Sequence, residues 1–171
     1  MVANHGTKDN YISNLRVKYD HPDPRNPQHS LYKHAPIIYG AKFQYAAKDD
    51  DSSPLDTDGV LCVKSIVGTL MFYGRAVDNK ILVSLIEIRQ HQAADTQATS
   101  DSIIQLLDYV ATYPSYSITF LASEMILSAY SDAVYLNVTK SCSRAGAHIM
   151  LSENVPVPAY NGPILTIAQI I

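Results

Sequence analysis

The residues of this 171-residue sequence that could do chemistry begin with three acids in its last third, Glu124, Asp132 and Glu153. Carboxylates support metal-dependent hydrolysis when several of their oxygens converge on one or two hard cations. If Glu124 and Asp132 share one strand, they share a face but stand roughly 26 Å apart at ~3.3 Å per residue. If the strands either side of Lys140-Ser141 pair symmetrically, Asp132 faces Ile149 and Glu153 lies about 13 Å further along. On that geometry neither acid joins Asp132 at a metal. A single carboxylate is a poor magnesium site, because the ion demands near-octahedral oxygen coordination. By spacing alone, Asp132 also reads as an ordinary strand-end aspartate. The run Asp49-Asp50-Asp51 sits between Ala46-Ala47-Lys48 and Ser52-Ser53-Pro54 and reads as a solvated loop.

Other polar residues have weaker claims. His21, His29 and His34 suggest a metal site, but they lie in a proline-rich stretch without a cysteine or a fixed scaffold. His148 falls in an apolar segment and reads as a sheet residue. Arg75 and Lys80 flank a helix junction, where such residues either touch a phosphate backbone or are solvated helix ends. Asn137-Val138-Thr139 is a glycosylation sequon, unused without a secretion signal. Tyr109, Tyr113, Tyr116, Tyr130 and Tyr135 gather around one junction, where packing competes with base stacking as their role.

The elements that must position these groups divide the chain into three. Residues 1–58 carry five of the nine prolines and no sustained apolar period, which predicts an extended or disordered arm. A short helical turn near Tyr11–Val17 and an apolar patch at Ile37-Ile38-Tyr39 interrupt it. Residues 59–114 read as three helices. Val63, Ile66, Val67, Leu70, Met71 and Gly74 make one stripe at i, i+3, i+4 spacing. Asp78 caps a second helix with Leu82, Leu85 and Ile86 on one face. A polar stretch, His91 to Thr99, precedes a third, capped by Ser100 or Asp101, lined by Ile103, Leu107 and Val110 and ended by Pro114. Residues 115–171 read as a meander of four strands: Ser117–Ala122, Met125–Asp132, Gly146–Ser152 and Pro163–Ile170. The expected class is α+β.

Composition narrows the function. Thirteen Lys and Arg against sixteen Asp and Glu leave a net charge of −3. Strongly basic nucleic-acid binding, which rests on phosphate neutralisation, is excluded as a simple reading. Two cysteines, Cys62 and Cys142, cannot build a disulfide framework, so a reduced, intracellular (cytoplasmic or nuclear) protein is expected. No apolar run exceeds four residues, so no membrane-spanning helix is expected. The polar stretch from Met1 to Asn10 reads as no signal peptide.

Several segments, taken in order, resemble the reverse transcriptase–RNase H region of copia-type retrotransposon polyproteins. Ser65-Ile66-Val67-Gly68-Thr69-Leu70-Met71-Phe72-Tyr73 is similar to that family's V-G-x-L-x-x-Y helix, and Arg75-Ala76-Val77-Asp78 to its Arg-x-x-Asp turn. Leu106-Leu107-Asp108-Tyr109-Val110 looks like the leucine-rich helix that precedes RNase H. Tyr130-Ser131-Asp132-Ala133 matches the family's Y-S-D-A, and Ser143-Arg144-Ala145-Gly146 an S-R-A-G turn. Tyr39-Gly40-Ala41-Lys42-Phe43-Gln44-Tyr45-Ala46 resembles a connecting stretch of such elements. Each match is short; their order and spacing from about Ile37 to the C-terminus carry the resemblance.

The resemblance implies a helical thumb or connection remnant over 59–114 and the N-terminal part of an RNase H-like domain over 115–171. It makes Asp132 the first of four carboxylates that hold two magnesium ions in the intact enzyme, and an RNA–DNA hybrid the substrate. Arg75, Lys80 and Arg144 become candidate nucleic-acid contacts, while Cys142 stands where relatives carry a basic residue. It also implies that the polymerase aspartate pair lies upstream and the remaining RNase H acids beyond Ile171. The expectation is a fragment without activity or bound metal of its own, Asp132 serving a metal only if another chain completes the site. It further implies a first strand with an unpaired edge, apolar residues Ile126, Ile149, Leu151 and Ile164 short of cover, and a chain that is partly open or self-associates through the sheet edge. The alternative function is a non-catalytic nucleic-acid or protein interaction module.

Overall fold

The computed structural model describes residues 3–5, 10–33, 50–90, 95–138 and 142–171. The Ile37–Tyr39 patch, the Tyr39–Ala46 stretch, His34, Asp49 and the Lys140-Ser141 turn lie outside the described residues. Helices are α1 (Tyr11–Lys18), α2 (Thr57–Ala76), α3 (Leu82–Gln90) and α4 (Gln97–Thr112), with a 3₁₀ turn, Asn79–Ile81, leading into α3. Strands are β1 (Ala3–His5), β2 (Ile118–Phe120), β3 (Ile126–Val138), β4 (Cys142–Ser152) and β5 (Pro163–Ile170). The class is α+β: among the described residues, four helices and an open antiparallel sheet in the order β3-β4-β5, with a separate two-stranded ladder of β1 and β2.

The helices form where pattern and caps agree. Asp56 accepts the Gly59 N–H at 2.8 Å and starts α2, whose buried stripe is Val63, Ile66, Val67, Leu70, Tyr73 and Gly74. A side chain on Gly74 would come within 3.0 Å of Leu82 and 3.1 Å of Ile81, so glycine lets the start of α3 close on α2. Asp78 caps the 3₁₀ turn rather than α3 itself, accepting from the Lys80 N–H. Thr96, not Ser100 or Asp101, caps α4, in a reciprocal box with Thr99. The polar cap forms because residues 52–55 run alongside: the Leu55 N–H donates to Asp95 and the Gln97 N–H to Ser53, each at 2.9 Å. Asp50 and Asp51 stand in the loop before this segment.

Residues 10–33 depart from the extended or disordered arm. Ile12 and Leu15 of α1 are buried in the main apolar cluster with α2, α3 and α4. The Tyr11 ring stacks on Tyr73 with centroids 5.2 Å apart, and its hydroxyl donates to the Thr69 carbonyl at 2.9 Å. The segment after α1 then runs along α4. His21 meets the Asp108 carboxylate at 2.8 Å, Gln28 N–H donates to the Thr112 hydroxyl at 2.9 Å, and Lys33 pairs with Asp101 at 2.8 Å. Prolines that bar regular structure still permit a strap fixed by side-chain and backbone hydrogen bonds.

The sheet differs from a four-stranded meander. Its strands are the last three of the four expected; the segment around Ile118 pairs with β1 instead. The β3–β4 register sets Asp132 opposite Gly146 and Ala129 opposite Ile149. Pairing is not symmetrical about the turn, because a bulge between Val134 and Val138 shifts it. The apolar core is helical. From the sheet only Met150 joins the fully buried apolar side chains among the described residues. Ile126 and Ile164 are exposed, and Ile149 and Leu151 half-buried.

Candidate functional site

Asp132 sits midway along β3, and its carboxylate accepts the N–H of Ala133 at 2.8 Å. The side chain is exposed. Alternation places it on the same sheet face as Tyr130 and Val134. The row beside it runs through Gly146 of β4 to Ala168 of β5, two residues that leave open space next to the carboxylate. The same face carries Arg144 and His148 on β4 and Thr166 on β5, and it is the face turned toward the helices. Arg144 reaches Glu87 on α3, and Asn79 of the 3₁₀ turn donates to the Thr166 hydroxyl at 3.2 Å.

The other two acids stand far from Asp132. Glu124 precedes β3, separated from it by Met125 in the left-handed region (φ 62°), and accepts the Asn154 N–H at 2.7 Å. Glu153 follows β4, whose last residue Ser152 faces Ile126. Both therefore lie past the far end of the ladder: Glu124 is eight residues from Asp132 and Glu153 seven from its partner Gly146, roughly 26 and 23 Å at ~3.3 Å per residue. The register shift makes Glu153 more distant than symmetrical pairing predicts. No group of three or more metal-binding side chains occurs among the described residues. His21 and His29 point to different partners, Asp108 and the Tyr113 hydroxyl, the latter at 2.6 Å.

The basic residues divide. Arg144 is engaged by Glu87, which also hydrogen-bonds the Tyr32 hydroxyl; burial and that carboxylate push the tyrosine up to about 12. Strap, helix and sheet thus meet in one charged node. Lys80 stands 4.4 Å from the centre of the Tyr116 ring, a cation–π contact. Arg75 is exposed and lines a groove of about 620 Å³ between α2, α3 and the outer strand β5. Arg89 lines the same groove, so two guanidinium groups share it with a strand edge. Such a groove suits anionic groups, guanidinium being a fork-shaped donor for phosphate or carboxylate.

Sequence reasoning missed three of these participants. Glu87 and Tyr32 are ordinary residues in their own segments, and only the packing of three elements joins them. Arg89 was legible as a basic residue in the last turn of a helix, but its partnership with Arg75 across two helices was not. Asn161, in the loop between β4 and β5, is a hydrogen-bond hub. It accepts from Leu121 N–H at 2.7 Å and donates to the carbonyls of Leu121 and Leu151 at 3.0 and 2.8 Å. Beside it, a side chain on Gly162 would fall 2.6 Å from the Thr119 carbonyl, so only glycine lets β2 lie against this loop. No helix among the described residues is long and apolar enough to cross a membrane.

Comparisons with protein-family models, with curated proteins and with solved structures found no match.

Proposed function

We propose that this chain is the junction of reverse transcriptase and RNase H from a copia-type retroelement polyprotein. In that reading α2, α3 and α4 are the thumb or connection helices, and β3, β4 and β5 the opening strands of an RNase H-like domain. Asp132 is the first metal-binding carboxylate. The intact protein copies RNA into DNA and cleaves the RNA strand of the hybrid, using magnesium, inside the cell. The observation that supports the reading best is the position of Asp132: in Y-S-D-A, midway along β3, the first strand of a three-stranded antiparallel meander that follows the helices and the short strand β2. Hydrolysis by two metals needs several convergent carboxylates, and Asp132 supplies one. In this reading these 171 residues are a fragment without nuclease or polymerase activity of their own, Asp132 serving a metal only if another chain completes the site.

The test is hybrid cleavage in magnesium. The chain alone leaves a labelled RNA–DNA hybrid intact. Cleavage by the chain alone that disappears with Asp132→Asn would overturn the inactive assignment. The ancestry has its own test in the flanking coding DNA: an aspartate-pair hairpin upstream and further acids downstream are expected, and unrelated sequence on both sides would defeat it.

A second reading, a non-catalytic nucleic-acid module, is favoured by the groove that holds Arg75 and Arg89. It requires hybrid affinity that falls steeply with salt and weakens on Arg75→Ala. Affinity insensitive to both would dispose of it.

A further inference from the structure

We infer that the groove between α2, α3 and β5 is a docking site for an extended acidic peptide, which adds to the free edge of β5 as a further strand. The inference is independent of the proposed ancestry, and it gives the groove a peptide where the second reading gives it nucleic acid. The starting observation is the wall that β5 supplies. Every residue from Leu165 to Ile170 lines the groove. Side chains along a strand alternate between faces, so consecutive residues can line one groove only along their shared backbone edge. That edge is open: β5 is an outer strand, and among the described residues it pairs with β4 alone. Ser143 and Ile171 exchange both of their backbone hydrogen bonds, at 2.8 and 2.9 Å. In an antiparallel ladder such pairs alternate with pairs that exchange none. Gln169, Ile167 and Leu165 therefore turn their N–H and C=O toward β4, whereas Ile170, Ala168 and Thr166 turn theirs outward. Among the described residues no backbone hydrogen bond reaches these three from another segment. From Leu165 to Ile171 the strand carries neither proline nor charge, the devices that commonly keep an edge from pairing.

The opposite wall selects the guest. Met71, Leu82 and Ile86 give it an apolar floor, and Arg75 and Arg89 add two exposed guanidinium groups. Among the described residues no acid lines the groove, and neither arginine has an ion-pair partner. Two unneutralised cations beside an open strand edge call for carboxylates on the incoming chain. A strand added to β5 lies about 4.8 Å from it and turns every second side chain toward the helices. Those positions are apolar or acidic in the guest, while its backbone gains affinity through the new ladder. The β5 strand of a second copy does not meet this requirement, because it has no acid. Nucleic acid would satisfy the guanidinium groups but would leave the strand edge and the apolar floor without partners.

Fluorescence anisotropy with the full chain and a labelled, end-capped peptide VTETVTE tests this. Its valines and glutamates share one face of a strand and its threonines the other. Saturable binding is expected, and it weakens as salt is added. Arg75→Ala and Arg89→Ala each weaken it roughly tenfold, the loss of one charge-assisted pair. Both arginines are exposed, so these variants keep the circular dichroism of the parent. Methylating alternate backbone amides of the peptide separates strand addition from simple charge attraction. One alternate set abolishes binding and the other leaves it intact, because only one set faces β5. No binding, binding indifferent to both arginines, or equal binding by the two methylated peptides or by VTQTVTQ overturns the inference. So does an RNA–DNA hybrid that binds more tightly than the peptide and depends on the same two arginines. The groove then belongs to nucleic acid, and the ancestry is still decided separately by the flanking coding DNA.

Discussion

At the scale of the residue, the most informative acid for stability is Asp78 rather than Asp132. It is buried at the α2–α3 corner, where its carboxylate accepts the Lys80 N–H. Burial raises its pKa above the ordinary 3.8, and the nearby Lys80 charge opposes that shift. A raised folded value means the folded state prefers the neutral acid. The stabilisation from Asp78 is thus fully present below the unfolded pKa and is lost as pH rises through the folded one. Asp78→Asn keeps an acceptor for the cap and removes the buried charge. It is expected to stabilise the protein at neutral pH, with the advantage disappearing as the solution is acidified. Asp78→Ala, which removes the acceptor too, is expected to cost about 1 kcal/mol relative to Asn. Urea unfolding at two pH values checks both, and an Asn variant weaker than the parent at neutral pH would contradict the account.

At the scale of the element, α1 and the strap after it decide how much of the chain is structure. Ile12 and Leu15 fill the helical core between α2 and α4, so removing either leaves a cavity. Leu15→Ala is expected to cost roughly 2–5 kcal/mol, the range for a buried leucine, and to lower the melting temperature by several degrees. A change below about 0.5 kcal/mol, ordinary for a surface site, would show that α1 is not docked. The helix was legible only as a turn. Tyr11–Lys18 is short and, with only Ile12 and Leu15 buried and the polar Ser13 and Asn14 between them, makes a weak apolar stripe. Its stability comes from α2 and α4, with Tyr11 stacked on Tyr73 and hydrogen-bonded to Thr69.

At the scale of the molecule, the protein has a well-packed helical half and a thinly attached sheet. The helical core holds the buried side chains from α1 to α4. The sheet is tied to it by Arg144–Glu87, by Asn79–Thr166 and across a groove of about 620 Å³. Protection of backbone amides follows the free energy of local opening. Exchange in deuterated water is expected to be slowest in α2 and α4 and faster in β3 and β5 of the monomer. Equal protection of helices and sheet would mean a single cooperative unit and would contradict this division.

The sequence by itself determined the helical stripes of α2 and α4, the strand positions of β3, β4 and β5, and the corner at Asp78. Each rests on interactions within a few residues: a 3.6-residue or two-residue period, a cap, a proline stop. Only the tertiary structure decided the rest. The bulge after Val134 set the register that separates Asp132 from Glu153, and α1 was recruited to the core. Arg144 was assigned to Glu87, and the apolar side of the sheet was left facing water. These depend on which distant segments meet, and contact between residues dozens of positions apart leaves no periodic trace in the chain. Alternation tells which side chains share a face, but what lies over that face is settled by packing alone.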